Sequence, residues 1–162
     1  MKKVLFFGIY DPTYSRNRVL MRGFRENSWE VGECRMNPKI IFGFKKYWQL
    51  WQKGKLLRKE KFDLVIVAFP GHSVVWLARL LFGRNIIFDA FVSLYNSEIE
   101  DRQKFRRFSL RGAYYYFLDW HSVHFASRVL LDTNTHIKHF AKHLCVPEQK
   151  FIRVFVGSDI NI

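Results

Sequence analysis

Carboxylates are scarce in this chain. Its 162 residues hold 14 Asp and Glu against 27 Lys and Arg, a formal net charge of +13 at pH 7. A surface so short of acid attracts anions: nucleic acid, an acidic membrane face or phosphorylated small molecules. Cysteine is scarce too. Cys34 and Cys145 lie far apart and belong to no ligand-spaced motif, so they read as two buried free thiols in a reducing cytoplasm. No run approaches the ~18 apolar residues that would span a bilayer. The opening stretch Met1–Tyr10 imitates a signal peptide, but Asp11 and Pro12 cut it short and no small-residue cleavage site follows. It reads as a first strand. Gly-x-x-x-x-Gly-Lys, Gly-x-Ser-x-Gly and Cys-x-x-Cys do not occur. Repeats, low-complexity tracts and internal linkers are missing as well, so residues 1–162 read as one domain with a sizeable core.

Aromatic residues are plentiful. They make up 18% of the chain, and 17 Phe with five Trp exceed the needs of one small core, so some rings are expected at the surface. Short apolar runs at 4–9, 30–34, 64–69, 85–88, 129–131 and 151–156 read as strands. Several are apolar at nearly every position, as expected when both faces of a parallel sheet are covered. Helix-length segments at 16–27, 44–60, 73–82, 108–126 and 134–144 alternate with them. The pattern predicts an α/β fold: a Rossmann-like doubly wound parallel sheet of about six to seven strands with helices on both faces. Ligands of such sheets bind beyond the carboxyl ends of the strands. The loops to watch are therefore 8–15, 69–73, 89–108 and 132–134.

Three clusters carry possible chemistry. Residues 44–61 hold seven basic residues and one acid. Phe44, Tyr47, Trp48 and Trp51 recur there at helical spacing. Two readings fit: a crossover helix with its aromatics on the sheet, or a helix whose Lys45, Trp48, Trp51 and Lys53 meet the headgroups of an anionic membrane. Gly54 weakens this helix and could mark a bend. The second cluster, Arg102, Lys104, Arg106, Arg107 and Arg111, lies on the ligand side of the sheet. It reads either as a solvated helix start or as a bidentate grip on phosphate or carboxylate. In the loop after strand one, Tyr10, Asp11 and Arg16 fit either a bare Asp-Pro turn or a site in which Asp11 acts as a base or binds sugar hydroxyls. His136, His139 and His143 share one helical face opposite Ile137, Phe140, Ala141 and Leu144. With no acid or cysteine to complete a ligand set, they read as a solvent face, and no metal is expected. His121 and His124 read as core or edge residues.

In order and spacing, several segments resemble the N-terminal domain of retaining GT-B glycosyltransferases. They are Val4–Gly8, Arg25–Val31, Phe62–Pro70, Leu77–Asp89 and, most of all, Ser127–His136 with Val146–Asp159. The resemblance covers essentially the whole chain. It implies the acceptor-binding half of an enzyme that moves a sugar from a nucleotide diphosphate sugar, its co-substrate, to a hydroxyl. No other cofactor is implied. The nucleotide-sugar domain would be supplied in cis or in trans, and this chain alone would be inactive. The sequence departs from the family in two places. The loop after strand one has one glycine where relatives often carry two. Phe88 and Asp89 stand where relatives often place a histidine, so by the resemblance that catalytic role is either vacant or falls to Asp89. Acceptor contacts are expected from Tyr10, Asp11, Arg16, Arg102, Arg106 and Arg107. A cytoplasmic enzyme peripheral to the membrane, acting on a lipid-linked or cell-envelope glycan, is the implied setting. The rival readings are a basic nucleic-acid-binding α/β domain, which lacks a recognisable RNA or DNA motif, and a non-catalytic partner subunit of a split transferase.

Overall fold

The computed structural model describes residues 1–38, 43–97 and 109–157. Six strands form one all-parallel sheet: β1 (Lys3–Ile9), β2 (Glu30–Met36), β3 (Leu64–Val67), β4 (Ile86–Phe91), β5 (Arg128–Leu131) and β6 (Phe151–Arg153). They lie in the order β2-β1-β3-β4-β5-β6. Among the described residues, five complete α-helices connect them: α1 (Ser15–Glu26), α2 (Lys45–Leu57), α3 (Val75–Phe82), α4 (Leu110–Phe125) and α5 (Asn134–Leu144). The expected Rossmann-like doubly wound fold is therefore present. The order reverses at β1, which pairs with β2 on one side and β3 on the other.

Packing assigns the helices to faces. Val4, Phe6, Ile66 and Ala68 form one face of the sheet with Met21, Leu20 and Phe24 of α1. Leu5, Phe7, Val65, Val67, Phe88 and Val129 form the other, under residues of α2, α3, α4 and α5. This division follows from right-handed crossovers: once the chain steps past β1 toward β3, every later connection advances in one direction and stays on one side. Among the described residues, α1 is alone on its face.

Local signals set the boundaries. Ser109 and Thr133 cap α4 and α5, their hydroxyls accepting from the Gly112 and His136 amides at 3.1 Å each. α5 ends on Cys145 in the left-handed region, φ 53°, a position that usually falls to glycine. Cys145 is exposed there, against the expectation of two buried thiols. Its place as a helix cap puts it outside the core. Cys34 is buried on β2, and burial pushes its thiol up to about 11. Ile137, Phe140, Ala141 and Leu144 of α5 face the core as expected.

Two expectations need correction. Strand four does not stop at Phe88. It runs to Phe91 through a register shift between Asp89 and Phe91, so Asp89 is a strand residue and does not open the loop. In α2, the four aromatics do not share one fate. Tyr47 and Trp51 pack against the core beside Leu50, whereas Phe44 is 91% and Trp48 57% exposed. Gly54 is a close-packing position: a Cβ there would lie 2.5 Å from Leu81 Cδ1 and 3.3 Å from Phe7 Cε2.

Candidate functional site

The carboxyl ends of β1, β3 and β4 converge on the start of α1. Asp11 shapes the β1–α1 turn, its carboxylate accepting from the Thr13 amide at 3.0 Å and the Thr13 hydroxyl at 2.6 Å. Gly8 adopts φ 147°, which side chains rarely take. Tyr10 is fully buried, and its hydroxyl donates to Glu33 at 3.1 Å. Burial and the Glu33 carboxylate hold that phenol protonated. Asn17, wholly buried in the first turn of α1, donates through Nδ2 to the carbonyls of Asp11, at 3.1 Å, and Phe69, at 2.8 Å. One side chain thus ties together the two loops at the point where strand order reverses, which is where sheets of this kind bind ligands.

Beside this stitch lies a buried ion pair. Arg16 Nε donates to both oxygens of Asp89 at 2.9 and 2.8 Å, and Nη2 donates to Oδ1 at 2.7 Å. Arg16 is 4% and Asp89 0% exposed. Burial pushes the Asp89 carboxyl up from its ordinary value, and the Arg16 guanidinium opposes that shift. With two nitrogens on the carboxylate, the guanidinium offsets part of the cost of burying it. Arg16 Nη1 reaches the Val154 carbonyl beyond β6 at 3.3 Å, and the guanidinium lies 4.7 Å from the ring centre of Phe91. Phe91 itself sits at φ 60°, outside the usual range for a bulky residue. The register shift at the end of β4 turns Asp89 and Phe91 together toward α1. The clamp joins β4, α1 and the segment after β6.

A second buried polar group lies under the same rim on the opposite face. His72 follows β3, and Asp119 projects from α4, with Nε2 and Oδ1 3.5 Å apart and both residues 2% exposed. Asp119 accepts from Ser93 Oγ at 2.7 Å, the Tyr95 amide at 3.0 Å and the Leu94 amide at 3.1 Å. It therefore anchors the start of the segment that leaves β4. Burial pushes the Asp119 carboxyl up to about 6 and the His72 imidazole down to about 3. On acidification Asp119 takes its proton first, and the imidazole stays neutral beside it.

Of the residues singled out from sequence, Tyr10, Asp11, Arg16 and Asp89 gather at one rim, and Arg16 with Asp89 are in direct contact. Lys45, Trp48, Trp51 and Lys53 lie on α2, across the sheet from that clamp. Arg102, Arg106 and Arg107 lie outside the described residues, as do Ser158 and Asp159. Asn17, Ser93, His72 and Asp119 were not anticipated. Asn17 is next to Arg16 in a helix start already flagged, which is a usable signal. The contact of His72 with Asp119 joins residues 47 positions apart and leaves no trace in local spacing.

No protein-family model matches this chain, and no curated protein matches it. Its functional reading rests on its own residues and geometry.

Proposed function

We propose that this chain is the acceptor-side domain of a nucleotide-sugar-dependent glycosyltransferase. The observation that carries the reading is the rim at the β1/β3 reversal. A buried stitch and a buried ion pair hold two loops and the β4 tip in fixed positions at the edge where such sheets receive ligands. Asp89 has both oxygens on Arg16 and no exposed surface, so its part in this reading is to fix the rim. It is a positioning residue. Tyr10 and Asp11 are likewise committed to Glu33 and to the turn, and they shape the floor. The transferred sugar and its diphosphate would be gripped by a second lobe, in cis or in trans, closing over this rim to exclude water and align the reactants. The acid-poor, aromatic α2 supports a lipid-linked or cell-envelope acceptor and peripheral attachment to a membrane. No helix among the described residues is long and apolar enough to cross one.

Saturation-transfer NMR on the isolated chain tests this reading. Lipid-linked saccharides should show contacts and nucleotide sugars should show none, with no turnover of either. Robust transfer by the chain alone, or tight binding of nucleotide sugar without saccharide contact, would refute it.

A further inference from the structure

The four helices that cover the larger face of the sheet share an unusual composition. α2, α3, α4 and α5 contain a single carboxylate, Asp119, and it is buried. They carry eight Lys and Arg. The outward face of α5 is polar, as expected of a helix facing water, but α2, α3 and α4 also turn large apolar side chains outward. On α2, Phe44, Trp48 and Leu56 are exposed. On α3, Trp76 and Leu80 are exposed, the latter at 62%. On α4, Leu110, Tyr114, Phe117 at 54%, Trp120 and Phe125 point outward. Direct links join these helices. The Tyr47 hydroxyl bonds to Ser73 Oγ at 3.1 Å, and Arg79 Nη1 donates to the Phe125 carbonyl at 3.2 Å. α2 adjoins α3 and α3 adjoins α4, so their exposed rings lie on the same side of the sheet.

We propose that the outer surface of α2, α3 and α4 docks flat on an anionic lipid bilayer. Tryptophan and tyrosine suit the boundary between headgroup and acyl chain, and leucine and phenylalanine enter the acyl region. Lys45, Lys53 and Arg111 supply attraction to acidic headgroups, and no exposed carboxylate on these helices opposes it. Charge complementarity and this choice of rings favour lipid over a protein partner. The surface also reaches the ligand rim. Phe44, Trp76 and Leu110 stand at the helix starts, and in a parallel β/α unit helix starts lie at the carboxyl ends of the strands. A docked domain holds its rim at headgroup level, where a lipid-linked saccharide would present its sugar. This inference rests on the membrane setting of the proposed function and widens its contact from α2 to three helices. It does not depend on sugar transfer.

Co-sedimentation with vesicles tests it, using the full chain at ~0.1 M salt, where headgroup attraction is still felt. Wild type should bind phosphatidylcholine vesicles containing phosphatidylglycerol and bind pure phosphatidylcholine far more weakly. Its tryptophan emission should shift to the blue on binding, a readout that needs no variant. Leu80→Gln with Phe117→Gln should weaken binding by about tenfold or more. Lys45→Gln with Lys53→Gln should weaken it about fivefold per lysine and flatten its salt dependence. Arg22→Gln with Arg25→Gln, on α1, removes the same charge and should change binding by no more than about twofold. Circular dichroism and denaturant melts confirm that each variant is folded. Binding that falls with the α2 lysines but ignores Leu80 and Phe117 would overturn the three-helix surface and leave contact through α2 standing. Equal losses from the α1 and α2 substitutions would reduce the effect to net charge and overturn it too. No binding by wild type, or retention on single-stranded RNA at matched salt with none on vesicles, would sink both this surface and the membrane setting. The acceptor-side assignment would still be open to its own NMR test.

Discussion

The two faces of the sheet use the same surplus of positive charge in opposite ways. On the smaller face, α1 carries four arginines; Arg16 grips Asp89 in the interior and Arg22 meets Glu26 one turn on. On the larger face, four helices carry eight Lys and Arg and one carboxylate, and that carboxylate is buried among backbone amides. The first arrangement turns charge inward to fix a rim. The second leaves charge outward among exposed rings. A net charge alone says nothing of this division, because it depends on which helix lands on which side.

The largest effect should come from separating the buried pair. Asp89→Ala leaves Arg16 charged and without its carboxylate, which should destabilise the fold by about 3–5 kcal/mol in guanidinium melts. The double variant Arg16→Met with Asp89→Leu should lose much less, because it leaves no stranded charge. A double variant as unstable as Asp89→Ala would show that the rim depends on the ion pair itself. Such variants also separate stability from function: a folded double variant with a loosened rim should lose saccharide contacts.

A smaller effect concerns His72 and Asp119 on the other face. Asp119 binds its proton more tightly in the folded chain, so its contribution to stability is greatest in acid. That contribution is lost between roughly pH 4, its unfolded value, and about pH 6, its folded value, and is worth about 3 kcal/mol in all. His72 has the reverse sign. Folding depresses its titration to about 3, so its contribution grows as pH rises from there to roughly 6.5. The two slopes oppose one another across the shared window. Asp119→Asn should therefore lose stability faster than wild type on going from pH 6 to pH 4, and His72→Gln should gain relative to wild type over the same interval. Parallel curves for all three proteins in urea melts would contradict the assignment.

The smallest effect compares one glycine in each helical layer. Gly23 of α1 has open space around a built Cβ, so Gly23→Ala should stabilise by up to about 1 kcal/mol through helix propensity. Gly54 of α2 touches Leu81 and Phe7, so Gly54→Ala should destabilise by about 1 kcal/mol after the same propensity gain is subtracted from the overpacking. Thermal melts giving the two changes the same sign would break the contrast.

Much of the fold was legible because both sheet and helices write their period into the chain. All six strands and all five helices lie where hydrophobic runs and helix-length gaps placed them, with shifts of a few residues at their ends. β4 ran long because Asp89 looks like a loop residue until Arg16, 73 positions earlier, is seen to neutralise it. That pairing is a tertiary fact, and so are the His72–Asp119 contact and the Asn17 stitch. The α2 aromatics were legible as a cluster but not by direction. Spacing puts Tyr47, Trp48 and Trp51 close together, and only the position of α3 decides that Tyr47 and Trp51 turn inward while Trp48 turns out. Some rings were expected at the surface, but the sequence did not say which: a run such as Tyr114–Leu118 carries no mark of which side meets the sheet, and only the packing of α3 and α4 shows that Trp76, Tyr114, Phe117 and Trp120 turn out.

Four of the five tryptophans, Trp48, Trp51, Trp76 and Trp120, lie on the larger face, and Trp29 packs beside Phe24 of α1 on the other. Quenching of tryptophan fluorescence by brominated phospholipids in anionic vesicles therefore reads out directly which face meets lipid. A Trp29→Phe protein should be quenched as strongly as wild type, and a protein carrying Trp48→Phe, Trp76→Phe and Trp120→Phe should lose most of the quenching while still sedimenting with the vesicles. Quenching that persists in the triple variant and disappears with Trp29→Phe would place the other face on the membrane and contradict this account.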